Sequence, residues 1–83
     1  MSFEVKVERS ASKRFARIHP KHAAQIAKRL KELQETPRPH DSIQLKGTRD
    51  FRLDVGEYRV LYEIDYEAQT VRVFRIMQRG EGY

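Results

Sequence analysis

Phe51-Arg52-Leu53-Asp54-Val55-Gly56-Glu57-Tyr58-Arg59-Val60-Leu61-Tyr62-Glu63-Ile64 is the stretch that decides the fold. Phe51, Leu53 and Val55 alternate with Arg52 and Asp54; Tyr58, Val60, Tyr62 and Ile64 alternate with Arg59, Leu61 and Glu63. Successive side chains of a strand point to opposite faces, so each run predicts a strand with one apolar face. Gly56-Glu57 between them suits a tight hairpin. Downstream, Asp65 to Ala68 predicts a second turn, and Val71 to Met77, rich in β-branched and aromatic residues, a third strand.

Upstream of this block the period changes. Leu45-Lys46-Gly47 belongs to a loop. Before it, Ala23, Ile26, Ala27, Leu30 and Leu33 form one apolar stripe of a helix, with Lys28, Arg29, Lys31 and Glu32 largely off it. Thr36-Pro37-Arg38-Pro39 ends that helix. His19-Pro20 begins it: the residue before a proline avoids helical geometry, and proline suits a first helical turn. Ala11, Phe15 and Ile18 mark a shorter preceding helix, with Ser10 as its expected cap. Phe3-Glu4-Val5-Lys6-Val7 alternates as a half-buried strand does. The expected fold is α+β, in the order β-α-α-β-β-β. An N-terminal strand and an αα-hairpin precede a three-stranded antiparallel meander, and the helices pack on one sheet face. The whole chain, 1–83, forms one domain.

The period has a chemical consequence. If Phe51, Leu53, Val55, Tyr58, Val60 and Tyr62 face the helices, Arg52, Asp54 and Arg59 face away. Arg75, Met77 and Arg79 share one side of the last strand. Arg52, Arg59, Arg75 and Arg79 are therefore expected on one open sheet face, unless a bulge shifts the register. Tyr58, Tyr62 and Phe74 read as core residues.

With 17 Lys and Arg against 12 Asp and Glu, the net charge is +5 and the pI about 9.8. Residues 1–31 hold nine basic residues (Lys6, Arg9, Lys13, Arg14, Arg17, Lys21, Lys28, Arg29, Lys31) and two acidic ones, Glu4 and Glu8. A basic half suits a polyanion or an acidic protein partner, although a solvated helical surface explains the bias equally well. The absence of cysteine excludes disulfides and thiolate metal sites. His19, His22 and His40-Asp41 lack the three or four convergent ligands that a metal site needs, so no metal is expected. No apolar run approaches the roughly 20 residues of a membrane span. Met1-Ser2-Phe3-Glu4-Val5 lacks the features of a signal peptide. These readings predict a cytoplasmic protein without membrane contact or small-molecule cofactor. Gly80 and Gly82 flank Glu81 in what reads as a flexible tail.

The order and spacing of Leu45-Lys46-Gly47 and Phe51 to Ile64 resemble the RelE/ParE superfamily of toxins from type II toxin–antitoxin systems. That family carries a lysine-glycine followed by an R-x-x-x-G-x-Y-R-x-x-Y strand pair. The helix ending in a proline-rich turn and the segment from Arg79 to Tyr83 extend the resemblance over nearly the whole chain, from about Phe3.

The resemblance implies a compact fold and a RelB-like antitoxin that wraps and neutralises the toxin. Its RelE branch, the favoured one, implies metal-independent cleavage of messenger RNA in the ribosomal A site, which inhibits translation. The ribose 2′-hydroxyl attacks the adjacent phosphate, and arginines stabilise the added charge. By resemblance, Arg59 is the charge-stabilising arginine of the central strand, Arg79 contacts phosphate, and Tyr83 stacks on a base or handles a proton. Arg52 stands where RelE-type toxins often carry lysine. Lys46, Arg75, Lys28, Arg29 and Lys31 are further candidates for RNA backbone contact, which would be salt-sensitive. Two positions depart from the pattern. Asp54 stands where active relatives often have a second basic residue, and Gln78 where many have histidine or lysine. A ParE-type inhibitor of DNA gyrase and a non-cutting member that binds antitoxin or RNA are the alternative readings.

Overall fold

The structure is a computed structural model and describes residues 2–81. Strand β1 (Glu4–Val7) leads into helix α1 (Arg9–Ala16) and helix α2 (Pro20–Glu32). Strands β2 (Ile43–Gln44), β3 (Asp50–Val55), β4 (Tyr58–Asp65) and β5 (Thr70–Gln78) follow. They form one five-stranded sheet in the order β1-β5-β4-β3-β2. β1 runs parallel to β5, and every other pairing is antiparallel. The fold is the expected α+β arrangement, with one strand added. β2 pairs only Ile43 with Arg52 and Gln44 with Phe51, and two residues carry no detectable period.

The two helix starts differ in their chemistry. α2 begins as the sequence predicts: Pro20 occupies the first turn, where a missing N–H loses nothing, and His19 Nδ1 accepts from the Lys21 N–H at 3.1 Å. α1 begins two residues earlier than expected. Glu8 takes the N-cap position without a side-chain hydrogen bond, and Ser10 lies inside the helix. The Glu8 carboxylate instead pairs with Arg72 on β5, and the Glu8 N–H donates to Val73 O at 2.8 Å. A tertiary tie thus replaces the local cap. Ile18 lies in the turn beyond α1 and is buried there.

One sheet face packs on the helices. Ala11, Ile18, Ile26 and Leu33 meet Phe51, Leu53, Val55, Val60, Tyr62, Val71, Val73 and Ile76 in a single core. Tyr62 lies wholly within it, stacked on Phe51, and its hydroxyl donates to Pro37 O at 2.8 Å. Burial raises the Tyr62 pKa above the usual phenol range. Tyr58 packs at the margin of the core.

A β-bulge interrupts the β4–β5 ladder between Leu61 and Tyr62: Leu61 pairs with Arg75, Tyr62 with Val73, and Phe74 is the extra residue. Phase reverses across a bulge. Phe74 is therefore a partly buried bulge residue under the Arg72 guanidinium, at 5.7 Å, rather than the core residue expected from alternation.

Candidate functional site: the open sheet face

The face turned away from the helices carries Arg52 and Asp54 from β3, Arg59, Leu61 and Glu63 from β4, and Arg72, Arg75 and Met77 from β5. Asp54 pairs across the hairpin with Arg59, Arg52 with Leu61, and Arg59 with Met77 on its other side. Leu61 and Met77 are buried yet stand apart from the main core. They form an apolar floor beneath the charged groups. Because the bulge lies at Phe74, it leaves Arg75 and Met77 in the phase that alternation predicts and moves Arg72 onto this face opposite Glu63.

The arginines differ in how they are held. Asp54 Oδ1 lies 3.2 Å from Arg52 Nε and 3.5 Å from Arg59 Nε. The three atoms are shielded from solvent, and none makes an aligned hydrogen bond. Arg72 is held more completely. Its Nε donates to Glu63 Oε1 at 2.8 Å, and its Nη1 pairs with Glu8. Hydrogen bonds to Glu63 and Glu8 hold the Arg72 pKa above the ordinary guanidinium value. Arg75 is exposed on β5. Arg79 follows the end of β5, where its N–H donates to Glu57 O in the β3–β4 turn at 2.6 Å. That bond keeps Arg79 at the hairpin end that carries Arg59.

The segment after Arg79 is tied back to the helices. Arg14 on α1 pairs with the Glu81 carboxylate, which also accepts from the Gln78 N–H at 2.8 Å. Glu81 N–H in turn donates to Gln78 O at 3.1 Å. The Arg14 hydrogen bond, followed by that from Gln78 N–H, lowers the Glu81 pKa to about 2. Gly80, at φ +95°, makes the reversal possible. Glu81 is thus an anchored residue, where its neighbouring glycines suggested a flexible tail. Tyr83 lies outside the described residues.

The remaining candidates lie elsewhere. Lys28 and Lys31 are exposed on α2, which covers the opposite sheet face. Arg29 on the same helix makes two hydrogen bonds to Asp41, at 3.1 and 3.0 Å, and approaches Glu32 at 2.9 Å. Those bonds raise its pKa and lower that of Asp41. Lys46 is exposed in the β2–β3 loop, beyond the end of β3 opposite the hairpin turn. The structure thus brings Arg52, Arg59 and Arg75 onto one face with Arg79 beside it. Lys28, Arg29, Lys31 and Lys46 do not join them. Among the described residues, no three His, Asp or Glu side chains converge as metal ligands do, and no helix is long and apolar enough to cross a membrane.

Two guanidiniums over an apolar floor form a cationic surface able to bind oxyanions in a planar, directional manner. His19 caps α2, His22 lies in its first turn with its ring 5.6 Å from that of Tyr58, and His40 lies in the loop before β2. Residues 5–83 match the family described as the ParE toxin of the type II toxin-antitoxin system, parDE. The chain belongs to that family. Within the wider RelE/ParE superfamily, solved structures share its fold. The archaeal RelE–RelB complex from Pyrococcus horikoshii aligns with a TM-score of 0.87 and 24% identity, covering 99% of this chain and 100% of that one. The RelBE2 toxin–antitoxin complex from Mycobacterium tuberculosis gives 0.86 and 24%, covering 95% and 100%. The isolated E. coli RelE toxin gives 0.86 and 20%, covering 98% and 88%. No curated protein sequence matches the chain.

Proposed function

We propose that this toxin cleaves messenger RNA on the ribosome without a metal. The observation that carries the reading is the convergence of Arg52 and Arg59 on the open sheet face, with Arg79 held at the same end by Glu57. In the proposed reaction, a ribose 2′-oxygen loses its proton and bonds to the adjacent phosphorus. The bond to the 5′-oxygen breaks, and that oxygen takes up a proton. The pentacovalent transition state carries more negative charge than the ground state, so guanidiniums favour it selectively. Arg59 is assigned to that charge, Arg79 and Arg52 to flanking phosphates, and Tyr83 to base stacking or a proton. Expression of the wild type should arrest growth and leave transcripts cut within their coding regions. Arg59→Ala with Arg79→Ala should lower cleavage by roughly 100-fold or more, the effect of deleting a preorganised oxyanion donor. Undiminished cutting by the folded double variant would refute the assignment.

An antitoxin is the proposed partner. The structural relatives from Pyrococcus and Mycobacterium are toxin–antitoxin complexes, and a basic surface suits a segment that folds on binding. Co-purification of the protein with the product of a neighbouring gene would support this, and recovery of the toxin alone from its native cells would oppose it. Gyrase inhibition remains the second reading, favoured by the family match itself and by Asp54 beside the arginines. Loss of supercoiling activity in a gyrase assay containing the toxin, with intact messenger, would establish it.

A further inference from the structure

Asp54 lies directly across the ladder from Arg59 and two residues from Arg52 on the same face. Its Oδ1 approaches the Nε of both, at 3.2 and 3.5 Å. A single anionic oxygen between two guanidinium edges is also the geometry in which arginines share a phosphate oxygen. A short side chain rooted in the strand does not reach both partners in alignment, and all three atoms are buried without a hydrogen bond. Buried polar groups left in this condition carry a free-energy cost that a better-placed acceptor removes. Arg72 on the same face provides the contrast: its Nε and Nη1 both have hydrogen-bonded carboxylate partners.

We propose that Asp54 is an intramolecular stand-in for a phosphate oxygen. It holds the anion position between Arg52 and Arg59 in the free protein, and a backbone phosphate of single-stranded RNA displaces it on binding. The identity of that ligand rests on the RNA-cleaving reading, whereas the anion position itself rests on the cluster. While Asp54 remains in place, it cancels part of the charge that attracts any polyanion. A phosphate must therefore be aimed at that point to compete, and loose electrostatic association is suppressed.

Asp54→Asn keeps the shape of the side chain and removes its charge. Its affinity for a short single-stranded RNA, measured by fluorescence anisotropy over a series of salt concentrations, should rise roughly tenfold, as expected from removing one like charge about 5 Å from a surface-bound phosphate. The plot of log affinity against log salt should steepen by about 0.7, the increment for one further phosphate contact on a single strand. Titration with inorganic phosphate, followed through the Nε–H resonances of Arg52 and Arg59, should show the same gain without RNA. In an Arg59→Gln background the gain should shrink, because the two residues act on one ligand. Should Asp54→Asn fail to fold, Asp54→Ser serves the same purpose. Unchanged or weakened affinity for both phosphate and RNA in a folded variant overturns the proposal. A phosphate gain with no messenger cleavage by the wild type would leave the anion position standing and remove the nuclease reading. Cleavage with no phosphate gain would do the reverse.

Discussion

Arg14 and Glu81 lie 67 positions apart and form a contact that holds the segment just after β5 against α1. The Glu81 pKa falls from 4.5 to about 2 because the Arg14 guanidinium and the Gln78 N–H favour its charged form. A depressed carboxylate stabilises the folded state at pH above its unfolded value, and the contribution disappears as protonation overtakes the folded one. The contact should therefore persist above pH 4.5 and be lost as the pH falls toward about 2. The protection factor of the Gln78 amide, read by hydrogen exchange, should decline through that window, and Arg14→Ala should lower it already at neutral pH. Constant protection down to pH 2 would contradict the pairing. Gly56 tests a different constraint. Its φ is +60°, and an added Cβ would stand 3.4 Å from Gln25 Oε1. Gly56→Ala should cost about 1–2 kcal/mol through the left-handed backbone alone, seen as a lower denaturant midpoint at unchanged slope. At this scale, strand period sufficed to place Arg52 and Arg59 on one face. It did not choose the partner of Arg59, because Glu63 and Asp54 share that face. The β3–β4 register decides the matter by setting Asp54 directly opposite Arg59, while Arg72 takes Glu63.

Among the elements, those with a long period and clear stops were readable before the structure. α2 has its proline start and five-residue stripe, and β3 and β4 have strict alternation around a turn. Short elements were not readable: β2 has only two residues, and α1 begins with a tertiary contact from Glu8 where a local serine cap was expected. The bulge at Phe74 was invisible because its residues are as β-prone as their neighbours. Packing between elements yields two further expectations. Leu53 is fully buried between sheet and helices, so Leu53→Ala should destabilise the protein by about 2–5 kcal/mol. An unchanged melting temperature would mean that β3 does not form the centre of the core. Tyr62→Phe removes the hydroxyl bonded to Pro37 O and should cost about 1 kcal/mol, with faster amide exchange in the loop around residues 38–42. If that loop exchanges as before, the tyrosine does not secure it.

For the whole molecule, fold and activity are separate questions. Relatives with 20–24% identity share this architecture at TM-scores of 0.86–0.87, and one fold can carry different sites. The function must therefore be read from the open face. There, the same arginines that suit phosphate are partly compensated by Asp54. The most direct test of the central claim is toeprinting of a defined messenger on translating ribosomes, with wild type beside the folded Arg59→Ala/Arg79→Ala variant. A new stop at the A site with wild type, absent with the variant, is the predicted result. An uncut messenger with active, folded wild type, or a cut that survives both substitutions, would contradict it.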